Sequence, residues 1–299
     1  MGTDGERGAA GESARPWDQG ELLRLMDVRR DGPGRYTAPA HGSTGRNVVE
    51  AGQLLADAVV AASKEIPGQR VASASMVFSR AARHDAEIAV ELDVPHSGRT
   101  YSTVLAQVKQ EDRLRCAGLI LMGADADDLI GSTAPMPDVP APDALRAFEE
   151  PGMQVQGREL RIVDDAYDRD PRHVGPPELF VWTRFADAPP VACLHTALMT
   201  QSVTHWTIAA ALRPHAGYSE AQAHKTISTG ISKATVAYHD DVDVTQWLLY
   251  ANQVVYTGRG GTQSEGRVYD QAGRLVASYT VYGMIRPLVH RPSDPGMVL

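Results

Sequence analysis

Gln201, Thr204 and His205 stand at spacings i, i+3 and i+4, so on a helix they share one face. His205 can take and return a proton near neutral pH, which makes general acid–base chemistry the reaction this face would support. The Thr204 hydroxyl is no base at pH 7. A second reading fits the same residues: polar side chains between packed units bond to one another or to backbone. Glu50 stands near the start of an earlier helical pattern, where the helix dipole favours an acid whether or not it does chemistry. Arg259 lies between Gly258 and Gly260, which allow close approach to an anionic group; a surface arginine at a hairpin end reads equally well. Asp240, Asp241 and Asp243 crowd a polar turn before Trp247 and read as a solvated loop. Cys116 and Cys193 sit in apolar runs and read as packing residues, as do Trp182, Trp206 and Trp247.

Other chemistries find no footing. Gly230-Ile231-Ser232-Lys233-Ala234 has alanine where a nucleophile elbow needs glycine. No HExxH occurs among the ten histidines, and neither a P-loop nor a dinucleotide fingerprint is present. Two cysteines make neither a disulfide framework nor a four-cysteine zinc site, so no metal and no cofactor is expected. The net charge of -8 argues against a nucleic-acid partner. Twelve acidic and four basic residues between Asp125 and Asp170 account for the whole imbalance, leaving the rest of the chain neutral and open to an anionic ligand. No apolar run approaches the ~18 residues of a membrane span, and the first residues lack a secretory apolar stretch, so a cytoplasmic protein without membrane insertion is expected.

The elements that must position these groups follow from periodicity. Residues 1–15 are glycine-rich and aperiodic and are expected to be a disordered tail. Over 47–66, Val48, Gly52, Leu55, Val59, Ala62 and Ile66 recur at steps of four and three, predicting a helix with one buried stripe that stops before Pro67-Gly68. Strand patterns follow at 71–80, 86–94, 99–110 and 113–123, with turns at Pro95–Gly98 and Gln110–Asp112. The acidic, proline-rich stretch 131–157 reads as a linker. Beyond it come strand patterns at 160–168 and 178–186, a long helix from about 192 to 212, and strands at about 226–239, 246–258, 262–269 and 274–286. The chain thus divides into an N-terminal domain over 16–130 and a C-terminal one over 158–299. Each lays one long helix across a curved antiparallel sheet. That is the plan of a hotdog unit, and two units give an α+β double hotdog.

Particular residues sharpen this. Trp247-Leu248-Leu249-Tyr250, Gly258-Arg259-Gly260, the run 266–278 (GRVYDQAGRLVAS), Gly283-Met284-Ile285-Arg286 and Arg213-Pro214-His215 resemble the bacterial acyl-CoA thioesterase II family. So do Gly52-Gln53 and the run 98–103 (GRTYST) in the first half. The resemblance covers roughly 45–124 and 160–286. It implies a double hotdog, an acyl-CoA substrate in fatty acid metabolism, hydrolysis to free acid and CoA, and association into a homo-oligomer. The family activates water with an Asp, a Thr and a Gln; alignment places Thr204, Ile231 and Val281 at those positions, and a two-residue bulge would bring Thr229 to the second. Hotdog enzymes of another branch place a catalytic carboxylate where Glu50 stands. The candidate catalytic residues are therefore Glu50, Gln201, Thr204, His205 and Thr229. Gly52, Gln53 and Arg259 are candidates for substrate binding, Arg259 for a CoA phosphate. Two functions stand against each other: a thioester hydrolase with an atypical catalytic set, and a non-catalytic acyl-CoA or acyl-chain binding protein of the same fold. A hotdog hydratase ranks below both.

Overall fold

The computed structural model describes residues 17–40, 47–149 and 155–288; the tail expected over 1–15 lies outside them. The first half contains β1 (Trp17–Asp18), α1 (Gln19–Met26), β2 (Arg29–Gly32), β3 (Arg35–Ala38), α2 (Ala51–Glu65), β4 (Arg70–Phe78), β5 (Ile88–Ser97), β6 (Tyr101–Gln110) and β7 (Arg113–Gly123). The second contains β8 (Val155–Gln156), β9 (Arg158–Ile162), β10 (Glu178–Phe185), α3 (Ala192–Ser202), α4 (Thr207–Leu212), β11 (Ile227–Tyr238), β12 (Leu248–Gly258), β13 (Gly261–Asp270) and β14 (Leu275–Pro287).

Twelve strands form one sheet in the order β2-β3-β5-β6-β7-β4-β11-β14-β13-β12-β10-β9. Every pairing in it is antiparallel. The halves join edge to edge where β4 pairs with β11, from Val77 opposite Lys233 to Ser73 opposite Ala237, with the Ser75 and Thr235 hydroxyls 2.8 Å apart. This join removes two free sheet edges that would otherwise present unpaired N–H and C=O groups. Inward-facing Val104, Ala106 and Val108 of β6 alternate with more exposed neighbours, as a half-buried strand requires. α2 packs on the first half of the sheet, α4 on the second, and α2 and α3 pack on each other. The result is an α+β double hotdog.

The structure departs from the periodicity in several places. α2 is buried from Gly52 through Ala62 without a break, because sheet and α3 enclose it; the expected single stripe is too narrow. The predicted helix over 192–212 is two helices. Between them Val203 N bonds Thr200 O at 3.2 Å and His205 N bonds Ser202 O at 3.2 Å, tight i→i−3 turns that redirect the chain without interrupting the apolar pattern. The strand expected over 160–168 stops at Ile162, and Asp164 and Asp165 adopt left-handed backbone (φ 56° and 50°). Pro95 lies within β5 instead of in a turn; a register shift between Asp93 and His96 accommodates it. α1, β2 and β3 had no periodic signal strong enough to place them. In the proline-rich segment, Met136, Val139 and Leu145 pack on the outer-face cluster of Trp182, Trp247 and Tyr269. There the Pro140 and Pro135 carbonyls accept hydrogen bonds from Trp182 Nε1 and Tyr269 Oη, both at 3.0 Å.

Candidate active site

Glu50 is the N-cap of α2. Its extended backbone (φ −65°, ψ 142°) lets its carbonyl accept from the Gln53 and Leu54 amides, at 3.1 and 3.3 Å. Its side chain makes no capping bond and instead crosses to the other half of the chain. There its Oε2 accepts from Gln201 Nε2 at 2.8 Å and lies 2.9 Å from His205 Nε2. Gln201 sits on the last turn of α3 and His205 in the break before α4, so the tight turns that end α3 are what aim the imidazole at Glu50.

This network assigns protons. Ser202 Oγ donates to Gln201 Oε1 at 3.3 Å, which turns the Gln201 amide nitrogen toward Glu50. His205 Nε2 lies 3.0 Å from that nitrogen. A bare Nε2 could accept from the Gln201 amide but would face the carboxylate lone pair to lone pair. The charge-assisted bond to Glu50 is the stronger of the two, so we assign the proton to Nε2, which donates it to Glu50. The Gln201 amide then donates to Glu50 alone. Nδ1 is then the nitrogen left to accept, and it is buried without a hydrogen-bond partner among the described residues. The His205 side chain is 10% exposed and that of Glu50 48%, so the carboxylate marks the mouth of the site and the ring its wall. The protein packed around Glu50 pushes its carboxyl up. His205, Arg158 and the Gln201 hydrogen bond outweigh that and hold it at about 2, ionised at any working pH.

Gly52 brings the two helices together. A Cβ there would overlap the Gln201 carbonyl oxygen, lie 2.9 Å from the Gln201 carbonyl carbon and 3.0 Å from Thr204 Oγ1. Only a residue without a side chain lets the first turn of α2 touch the end of α3. Thr204 is thus buried against Gly52, and Gln53 is buried one residue on, its Nε2 without a partner among the described residues.

The structure therefore brings Glu50, Gln201 and His205 into mutual hydrogen-bond distance, with Gly52 and Thr204 beside them. Thr229 takes a different partner: its hydroxyl lies 3.2 Å from His224 Nε2, on β11 ahead of a bulge between Ile231 and Lys233. Arg259 is exposed at the tip of the β12–β13 hairpin in left-handed backbone (φ 53°). Two residues escaped the sequence reading. Arg158 begins β9, and its charge favours the ionised forms of Glu50 and Tyr250; nothing around it in sequence announces it. Trp206 was a core filler by type. Its wholly buried ring stands edge-on to His205 (centroids 5.9 Å) and to Tyr167 (6.2 Å). Behind Tyr167 opens a cavity of about 280 Å³, walled by Asp164, Asp168, His173, Arg213 and Tyr218. No group of three or more His, Cys, Asp or Glu among the described residues is placed to hold a metal ion. Nor is any described helix long and apolar enough to cross a membrane.

Comparison with known proteins places this geometry. A model of the acyl-CoA thioesterase C-terminal domain matches residues 133–285, and one of the acyl-CoA thioesterase N-terminal domain matches 39–123. No curated protein matches the sequence. Among solved structures, a tesB protein of Mycobacterium avium subs paratuberculosis superposes with a TM-score of 0.75 at 18% identity, covering 90% of this chain and 99% of that one. An acyl-CoA thioesterase II, TesB2, of Mycobacterium marinum gives 0.74 at 20% identity, covering 89% and 98%. A protein of hot dog fold from Alicyclobacillus acidocaldarius gives 0.73 at 19% identity, covering 90% and 99%. At these identities the likeness is one of fold.

Proposed function

The chain belongs to the acyl-CoA thioesterase family, and on that premise we propose that it hydrolyses acyl-CoA thioesters to free acid and CoA with a water activated by His205. One observation carries the reading: a buried imidazole, held through Nε2 by an ionised carboxylate, with Nδ1 left to accept a proton. Glu50 fixes the tautomer and stabilises the imidazolium that forms, as a carboxylate behind a histidine base does. Water attacks the thioester carbonyl carbon as its proton passes to Nδ1. The carbonyl π pair becomes the oxyanion. When the C–S bond breaks, the same proton leaves with the thiolate as thiol.

The oxyanion would face the first turn of α2, where the Ala51 and Gly52 amides have no intrahelical acceptor and the helix dipole is positive. General base and oxyanion donors each supply on the order of 10²–10⁴-fold. Thr204 and Gln53 line the same turn; Gln53 Nε2 is the donor proposed to hold the acyl group. Thr229 has no step in this scheme. For Arg259 we propose contact with a CoA phosphate. Its hairpin tip is one residue from Gly261, β13 runs on through Thr262 opposite Gly283, and Gly283 lies under Ile208 of α4. The tip is thus at the end of the sheet that the start of α4 covers.

The test is thiol release from a series of acyl-CoA chain lengths by wild type and His205→Gln. Turnover that falls roughly 100-fold in the variant with the fold intact is expected. Binding without release at every chain length would instead make this a non-catalytic acyl-CoA binding protein.

A further inference from the structure

Two buried nitrogens on adjacent residues lack any hydrogen-bond partner among the described residues: His205 Nδ1 and Trp206 Nε1. Leaving a buried polar group unpaired is costly, and such orphans in folded chains mark ordered water or ligand. The two are complementary. The Trp206 indole N–H can only donate, and Nδ1, with Nε2–H committed to Glu50, can only accept. Their rings stand nearly perpendicular (81°) with centroids 5.9 Å apart. A single water can accept from the one ring and donate to the other where two such rings are neighbours. Gln53 Nε2 and the Asp57 carboxyl, one turn apart on α2, are orphans of the same complementary kind but carry no ring that can take a proton from water near neutral pH.

We propose that Trp206 positions the attacking water. Its indole N–H donates to the water oxygen, and the water donates one proton to His205 Nδ1. One oxygen lone pair is left aimed away from both rings, toward the thioester. Trp206 thus acts as a positioning residue, fixing where the oxygen sits while His205 takes the proton. The inference rests on the hydrolase reading above, and it adds a requirement that reading does not contain: an N–H at position 206, not merely an aromatic ring.

Three proteins separate the possibilities: Trp206→Phe, the chain carrying benzothienylalanine at 206 (the indole shape with sulfur in place of N–H), and His205→Gln. Both Trp206 replacements are expected to lower kcat about 10–100-fold, with KM within about twofold. Both are expected to keep the acid limb of the pH–rate profile, which His205→Gln loses. Wild-type kcat in the benzothienyl protein overturns the water-positioning role even if Phe misfolds. Full activity in His205→Gln, or no turnover by the wild type, overturns the hydrolase reading itself. A high-resolution crystal structure gives a readout independent of rate: a water within hydrogen-bond distance of both Nδ1 and Nε1 is expected. A dry slot, or either nitrogen bonded to protein, refutes the proposal.

Discussion

Gly52→Ala sets two physical effects against each other. In an ordinary helix the change removes glycine's backbone entropy cost and stabilises by up to about 1 kcal/mol. At this position the added Cβ meets main chain: it overlaps the Gln201 carbonyl oxygen and lies 2.9 Å from its carbon. Backbone atoms have no rotamer to swing aside, so α2 and the end of α3 must separate by about an ångström to restore van der Waals distance. Overpacking of this kind costs about 1–3 kcal/mol, and with an immovable neighbour the upper end applies. The net is a destabilisation of about 1–2 kcal/mol, a fall in Tm of roughly 2–3 °C for a chain of this size. The same separation falls across the 2.9 Å link from Glu50 to His205 and breaks it. A misplacement of that size costs about 100-fold in rate. Differential scanning fluorimetry and thiol release measure both. A variant that melts at or above the wild-type temperature, or keeps its rate, would refute the idea that Gly52 is the contact setting the site.

Other perturbations test separate parts of the account. Asp57 is wholly buried mid-helix in α2, and burial holds its carboxyl well above the usual value of 3.8, so it is neutral when folded. The unfolded carboxyl ionises above that value, so stability drains as pH rises from about 4. Asp57→Leu should therefore raise Tm, and by more at pH 8 than at pH 4; an equal gain at both would contradict the neutral buried acid. Glu50 works in the opposite sense. Depressed from 4.5 to about 2, it contributes stability present in full above 4.5 and lost as pH falls toward 2. Glu50→Gln should lower kcat roughly 100-fold, and its Tm deficit should narrow across that acid window; a deficit constant with pH would count against the ion pair. Arg259→Ala should raise KM for acyl-CoA about tenfold with kcat unchanged, an effect weakened by added salt. A salt-independent change would argue against phosphate contact.

How much of this could be read from sequence differs between strands and site. Strand runs with one wet face, such as β6, follow alternation and end within a few residues of the periodic limits. The run over 160–168, which ends at Ile162, and β12, buried on both faces from Leu248 to Asn252, do not obey that simple rule. The break between α3 and α4 left no trace, since Val203, Trp206 and Ile208 keep the apolar pattern running through it. Gln201 and His205 were visible as one helical face, and Glu50 as a helix-start acid, but their meeting was not. They lie 151 and 155 residues from Glu50, a pairing no local spacing encodes. Trp206 was hidden differently: residue type says large and buried, and only the fold reveals an indole nitrogen without a hydrogen-bond partner among the described residues.

The β4–β11 join has a consequence for how the molecule can tolerate motion. Glu50 reaches the site from one side of that seam and His205 from the other, so their separation is a gauge of how the halves are set. A hinge there would open the sheet and uncouple proton transfer in the same stroke. The five residue pairs from Ser73 to Val77, together with the bare face of Gly52, hold the alignment on which the chemistry depends. They are the part of the scaffold where small adjustments would be felt first as rate and only afterwards as stability.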